Sequence, residues 1–294
     1  MLHPFKLLKF VVTLGFMKSL NKCNKLLFGS IWHPVHEIVS YSGLLRTMVA
    51  RDLKVRYRGS VLGFGWSMLS PILMMLVFTV VFNVLTSTDI PDYPLFLLAG
   101  LIPWTFTQNA LVSAMRSITG NPNLINKVYF PRELLPLSAV LSSFIHFVIA
   151  FSLFVLALFV FRGNVSATIW FVPLIMCLHL MFVTGLAMVM AAVNVFLRDL
   201  EQVVDIGMLA WFFLTPIFYA LSVVPNTRFL GLDIHRWVFT LNPMATLISD
   251  YRYTMLYGWL PIRHTAITVL ISVFALVLGW WMLRRFAHRF AELV

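Results

Sequence analysis

Apolar residues gather into six long runs, at 71–85, 95–115, 137–161, 169–197, 203–223 and 265–283. Each approaches the roughly 20 residues that a helix needs to cross the hydrocarbon core of a bilayer. The first is short until the uncharged 61–70 stretch, with its glycines and Trp66, is added. The pattern predicts an all-α polytopic membrane protein with six transmembrane helices, over about 62–86, 95–115, 137–161, 169–197, 203–224 and 264–283. Five crossings, the alternative count, would leave one terminus on the far side.

The polar stretches between the runs carry their own patterns. Over 41–60 a wheel places Leu44, Leu45, Met48, Val49 and Val55 on one side and Arg51, Lys54 and Arg58 on the other, the layout of a helix lying along the membrane surface. Asp52 and Arg56 break that layout from the apolar side, four residues apart in the favourable acid-first order. A charge pair there points to contact with protein; an exposed stabilising pair is the alternative. Gly59, Gly63 and Gly65 then read as a hinge into the bilayer, with Pro71 in the first turn of the descending helix.

The 116–136 loop is punctuated for a short helix over about 119–128, with Asn121-Pro122 at its start and Lys127 near its end. Arg132 and Glu133 follow, bracketed by Pro131 and Pro136. A short helix held between two spans is suited to docking, and a plain solvated connection is the alternative. The 225–262 segment is long and rich in aromatics, including Trp237, Phe239, Tyr251, Tyr253, Tyr257 and Trp259 around Asn242-Pro243. It predicts short re-entrant external helices that roof a pathway, because non-helical backbone at membrane depth needs protein or water around it.

Charge orients the spans. Residues 1–60 hold ten basic and two acidic residues, and 116–136 hold three and one. The 87–94 loop has Asp89 and Asp92 without a base, and the tail from Arg284 adds Arg285 and Arg289. Basic loops stay inside, so both termini are expected in the cytoplasm. The 198–205 loop disagrees, with three acids to one base. Acids contribute little to orientation, and the even count stands.

Composition removes other classes. With 60 % hydrophobic and 11 % charged residues the chain is no soluble domain. The net charge of +11 sits mostly beside the membrane, where it sets topology and meets anionic lipid; no nucleic acid partner is expected. Cys23 and Cys177 predict no disulfide framework, and residues 1–40 read as a basic extension without a signal-peptide cleavage site.

Catalytic patterns are missing. Paired carboxylates, an HExxH helix and a phosphate loop do not occur; Gly-Lys is absent from the chain. His146 and His179 read as buried structural histidines. The chain is therefore expected to be no enzyme and to hold no cofactor or metal, with ATP and Mg on a separate subunit if it is a pump. Gln108, Asn109, Asn194, Trp104, Phe106, Trp211, Phe212 and Tyr219 are the polar and aromatic residues that favour a pathway over a plain set of spans.

Five runs in order, RDLKVRYRGSVLGFGWSMLSP at 51–71, NPNLINKVYFPRELLP at 121–136, NVFLRDLEQVV at 194–204, TPIFY at 215–219 and NPMATLISDYRYTMLYG at 242–258, resemble the permease subunits of type-2 ATP-binding cassette exporters of lipid-linked polysaccharides. The resemblance covers roughly residues 41–290 and implies a homodimer bound to two copies of a cytoplasmic ATPase, carrying an O antigen, capsule or teichoic-acid chain.

Within it, Asn121, Pro122, Asn123, Leu124, Ile125, Asn126 and Lys127 would form the coupling helix, with Glu133 beside it. Arg51, Asp52, Lys54, Arg56 and Arg58 would belong to the interfacial helix and meet the lipid diphosphate; topology-setting charge is the alternative. Trp104, Phe106, Gln108, Asn109, Trp211, Phe212 and Tyr219 would line the channel. Asn242, Pro243, Tyr251, Arg252 and Tyr253 would form the external gate. An exporter of a small hydrophobic drug or lipid, or an integral membrane glycosyl- or acyltransferase, are the competing readings.

Overall fold

A computed structural model describes residues 38–59, 63–85, 90–127, 129–163, 166–197, 199–220, 228–229, 232–233, 242–259 and 262–293. Residues 1–45 and 46–294 form two units; of the first, residues 38–45 are described. The extension over 1–37, Asp89, Arg198, Trp237 and Phe239 lie outside the described residues.

The described elements are helices α1 (Ser42–Tyr57), α2 (Trp66–Thr79), α3 (Tyr93–Met115), α4 (Pro122–Lys127), α5 (Leu134–Arg162), α6 (Val172–Phe196), α7 (Leu200–Leu214), α8 (Pro243–Arg252) and α9 (Ile262–Leu293). A two-residue antiparallel ladder joins β1 (Arg228–Phe229) to β2 (Leu232–Asp233). Four helical stretches are long and apolar enough to cross a membrane: Tyr93–Met115, Leu134–Arg162, Ala167–Phe196 and Thr265–Phe290. Met68–Phe82 is a shorter apolar helix.

Helix α3 is the hub. It packs against α2, α5, α6, α7 and α8, and 72 % of its apolar window is buried against 22 % for α9. Leu97, Ala99, Ala110, Leu111, Ala114 and Met115 on it are fully inaccessible. The outer faces of α5, α7 and α9, with Phe159, Ile206 and Phe274 exposed, are apolar in the way that a lipid-facing surface requires. Helices α6 and α9 touch backbone to backbone. A Cβ on Gly279 would overlap the Gly185 carbonyl, and one on Gly185 would overlap the Ala275 carbonyl. In lipid, where apolar burial gives little drive, such small-residue contacts let helices associate by close van der Waals packing.

Two elements depart from the expected outlines. Pro71 lies inside α2, which begins at Trp66 after a tight turn over Gly63–Gly65; α2 then continues as a π-helical stretch over Val80–Leu85. The run expected to span 203–224 is helical only to Leu214. Thr215 turns extended, with φ −98° and ψ 133°, because Pro216 disfavours a helical residue before it and cannot donate. At about 1.5 Å per residue, the 15 residues of α7 fall short of a bilayer.

Candidate functional site

Two surfaces of the hub helix carry the residues that the sequence singles out. At the C-terminal end of α3, Arg51 Nη1 of α1 donates to Asn121 Oδ1 at 3.1 Å, and Asn121 Nδ2 donates to the Ser117 carbonyl at 2.8 Å. The Asn121 carbonyl also takes the Leu124 and Ile125 amides, so this one residue opens α4 and ties it to α1. Pro122 stands at the first helical position, where its missing N–H costs nothing. Ile125 is buried and plugs α4 into the protein, while Arg132 Nη1 donates to the Ile125 carbonyl at 2.8 Å. Asn123, Asn126 and Lys127 face outward, with Pro122 and Leu124 half-buried.

Glu133, grouped by sequence with the docking helix, turns the other way. It is 3 % exposed and pairs with Arg284 of α9. Its carboxylate is engaged within the subunit, at the start of α5. Asp52 and Arg56 do not pair with each other as the spacing suggests. Asp52 takes Arg51 at 2.9 Å and the Ser138 hydroxyl at 3.3 Å, and Arg56 donates to Ser113 Oγ at 3.2 Å. Both charges therefore touch protein, while Lys54 and Arg58 face outward, as does Val55 from the side read as apolar. The acidic loop finds its counter-charge here too, since Arg116 pairs with Glu201 at 2.9 Å.

The second surface is the N-terminal half of α3. Arg252, at the end of α8, is 4 % exposed and lies over the Phe96 ring, 3.5 Å from its centre. It donates to the carbonyls of Phe96 at 3.2 Å, Pro216 at 2.5 Å, and Ile217. Gly100 makes the room, because a Cβ there would stand 2.7 Å from the guanidinium. Burial lowers the guanidinium to about 9 and pushes the adjoining Asp250 carboxyl up to about 7, the latter opposed by a hydrogen bond with Thr265.

At the other end of α8, Asn242 Oδ1 caps the helix through the Met244 and Ala245 amides and accepts Trp211 Nε1 at 2.9 Å. Pro243 occupies the first turn, and Tyr251 is fully buried. Tyr253 is half-buried and packs against Trp259 at a tilt of 42°, with ring centres 4.5 Å apart. Tyr251 and Arg252, expected at a gate, thus hold α8 to its neighbours.

The expected channel residues divide. Trp104 and Phe212 are buried, and Trp104 packs against both Trp211 and Phe212. Phe106 is buried between Phe147 and His179. His179 itself is inaccessible, with Thr107 Oγ1 at 2.8 Å and Tyr251 Oη at 3.5 Å. Asn194, also inaccessible, donates to the Met115 carbonyl at 3.1 Å. Tyr219 is half-buried, and Gln108 and Asn109 alone of the set are exposed. Aromatic type on a span signals packing as readily as a pathway, which is why sequence merged the two.

Sequence reading missed a cavity of about 400 Å³ between α2, α3 and α5, lined by Trp66, Ser70, Thr105, Phe106, Asn109, Ser143, His146 and Phe147, with Arg56 of α1 at its edge. Its signal was the run of serines, histidine and asparagine at helical spacing on two facing spans.

These features define a polytopic helical membrane protein whose hub helix carries a short exposed helix at one end and a buried cap helix against the other half. The chain belongs to the ABC-2 type transporter family, whose model matches residues 43–256. It is 32 % identical to an O-antigen export system permease protein RfbA of Klebsiella pneumoniae over 85 % of this chain and 95 % of the relative. It is 34 % identical to an O-antigen export system permease protein RfbA of Myxococcus xanthus over 74 % and 82 %. A polysialic acid transport protein KpsM of Escherichia coli is 20 % identical over 78 % and 89 %.

Proposed function

We infer that the chain is the membrane-spanning permease subunit of an ATP-driven exporter that moves a polyprenyl-diphosphate-linked polysaccharide, of O-antigen, capsule or teichoic-acid type, out of the cytoplasm across a bacterial plasma membrane. In this reading two copies of the chain pair with two copies of a cytoplasmic ATPase, which alone binds ATP and Mg. The observation that carries the reading is the mounting of α4. It is bracketed by Asn121 and Arg132, anchored by Ile125, and left with Asn123, Asn126 and Lys127 facing outward. A push on that face passes to α1 through Asn121 and Arg51, and to α5 through Arg132. The adjoining Glu133–Arg284 pair carries it on to α9.

Six crossings per subunit, with both termini in the cytoplasm, fit the depth markers along α3. Helix α7 starts beside Arg116 through Glu201 and reaches the level of Trp104 through Trp211. The chain then climbs to Tyr93, whose hydroxyl donates to the Phe218 carbonyl at 2.7 Å. Met244 returns to the depth of Thr107, and α8 runs back out to Phe96. That traverse of 11 residues along α3 is about 17 Å, half a bilayer. It supports α8 as a re-entrant element at the external end of a pathway.

The glycan cargo rests on the relatives, since the aromatics that argued for it are mostly internal to the subunit. A small hydrophobic cargo is the alternative, and no described feature favours it.

The test is copurification. The detergent-solubilised chain is expected to retain its candidate ATPase, and Asn126→Asp together with Lys127→Glu to lose at least ten-fold of it while eluting as the unaltered chain does. A wild-type chain that retains no ATPase would overturn the reading.

A further inference from the structure

The cavity between α2, α3 and α5 has no part in the coupling path or in the cap. One wall is the face of α3 that carries Ile102, Thr105, Phe106 and Asn109; another is the face of α5 that carries Ser143, His146, Phe147 and Ala150. Both sets recur at helical spacing, so each presents a single stripe. Trp66, Ser70 and Pro71 of α2 close the third side. Along α3 the polar end, at Asn109, lies toward the coupling helix, and the apolar end, at Ile102, lies toward mid-membrane.

Arg56 stands at the polar end. One of its five N–H donors is engaged by Ser113, and no carboxylate pairs with it among the described residues. Trp66 offers an indole that is 50 % exposed. Ser143 is 2 % exposed, lines the cavity, and its hydroxyl has no partner among the described residues. A buried hydroxyl without a partner is rare in native proteins and marks a place where a ligand or water completes the bond. The volume of about 400 Å³ falls in the range of small-molecule sites.

We propose that this cavity binds a phosphate ester carrying a hydroxylated ring, the phosphate on the Arg56 guanidinium and the ring between Trp66 and the Asn109, Thr105 and Ser143 side chains. This rests on the export reading and names the part of the cargo the cavity holds: the sugar next to the lipid phosphate, with the first isoprene unit toward Ile102 and Ala150. A guanidinium suits a phosphate oxygen pair, and an indole face suits a sugar ring. Asn109 and Ser143 both donate and accept, and Thr105, whose proton goes to the Ile102 carbonyl at 2.9 Å, accepts; ring hydroxyls both give and take.

The experiment uses the full chain in nanodiscs of zwitterionic lipid and measures binding of radiolabelled farnesyl diphospho-N-acetylglucosamine. Arg56→Gln, Asn109→Leu and Ser143→Leu are each expected to weaken it at least ten-fold, and Arg289→Gln, far along the sequence on α9, to leave it unchanged. N-acetylglucosamine 1-phosphate should compete, whereas phosphatidylglycerol at the same concentration should not. Equal displacement by phosphatidylglycerol would overturn the proposal in favour of an ordinary anionic lipid.

As a check independent of folding, Asn109→Cys in a Cys23→Ser, Cys177→Ser background should be shielded from maleimide by the probe. Labelling that the probe does not slow would also overturn it. Copurification of the ATPase separates the two levels. A chain that keeps its ATPase yet binds the probe regardless of these substitutions refutes the cavity alone. A chain that keeps neither refutes the export reading.

Discussion

The α4 contact and the α8 contact of the hub helix manage charge in opposite ways. Around α4 three ion pairs join side chain to side chain: Arg51 with Asp52, Arg116 with Glu201, and Glu133 with Arg284. Against the other half of α3, Arg252 is buried among backbone carbonyls and an aromatic ring, with no carboxylate bonded to it among the described residues. Paired charges near water can be rearranged at small cost, because exposed ion pairs are worth little and either partner can be rehydrated. A buried guanidinium held by three carbonyls has no such alternative, since each lost bond leaves a polar group unsatisfied. The two contacts therefore differ in what it costs to rearrange them, little at α4 and much at α8.

The largest expected effect comes from breaking the α8 contact. Arg252→Ala should cost about 3 kcal/mol or more by abandoning the carbonyls of Phe96, Pro216 and Ile217. Arg252→Lys should not rescue it, because a point ammonium cannot reproduce the planar fork. The matched change at the other end, Arg51→Gln, should stay within about 0.5 kcal/mol, as befits an exposed pair. Thermal melting of the purified chain compares them, and equal losses would erase the contrast.

An intermediate effect belongs to Glu133→Gln. Its carboxyl is buried and its partner Arg284 is only partly exposed, so the loss should be about 1–2 kcal/mol, or roughly 4 °C in melting temperature. Because the pair lies on the proposed coupling path from α4 to α9, ATP hydrolysis by the copurified partner is expected to persist while glycan export falls. A parallel fall in both would place the pair outside the coupling path.

An effect of similar size is a pH dependence on the α8 side. Burial raises the Asp250 carboxyl to about 7, so the folded chain holds a proton that the unfolded chain releases near its ordinary value of about 4. The sign follows: this carboxyl favours the folded state most at acid pH, and stability falls as pH rises from about 4 through about 7. Melting temperature should drop on the order of 5 °C between pH 5 and pH 8, and Asp250→Asn should flatten that slope. A slope that survives the substitution would assign it to another group.

The coarse architecture was legible because its signals are local. Four of the apolar runs are long helices, since a bilayer accepts only segments that satisfy their own backbone. Asn121-Pro122 marked the start of α4, and Asn242-Pro243 the start of α8, through capping chemistry that acts within one turn. The break at Thr215-Pro216 was equally local and was overlooked, because hydropathy does not register a missing amide proton. Asp52 and Arg56 were paired on helical spacing alone, when nearer partners waited on Arg51, Ser138 and Ser113.

Sequence by itself determined that this chain is a membrane protein of helices, which stretches interrupt them, and, through its ordered runs, which transporter family it belongs to. Tertiary structure decided which polar and aromatic residues face each other. It put Trp104, Phe106 and Tyr251 inside the subunit, turned Glu133 inward to Arg284, set Arg252 among carbonyls, and opened a polar cavity beside Asn109 and Ser143. The reason is that hydropathy and capping depend on neighbours along the chain, whereas burial, ion pairing and cavities depend on which helix faces which, a choice made by close contacts such as Gly185 against Gly279.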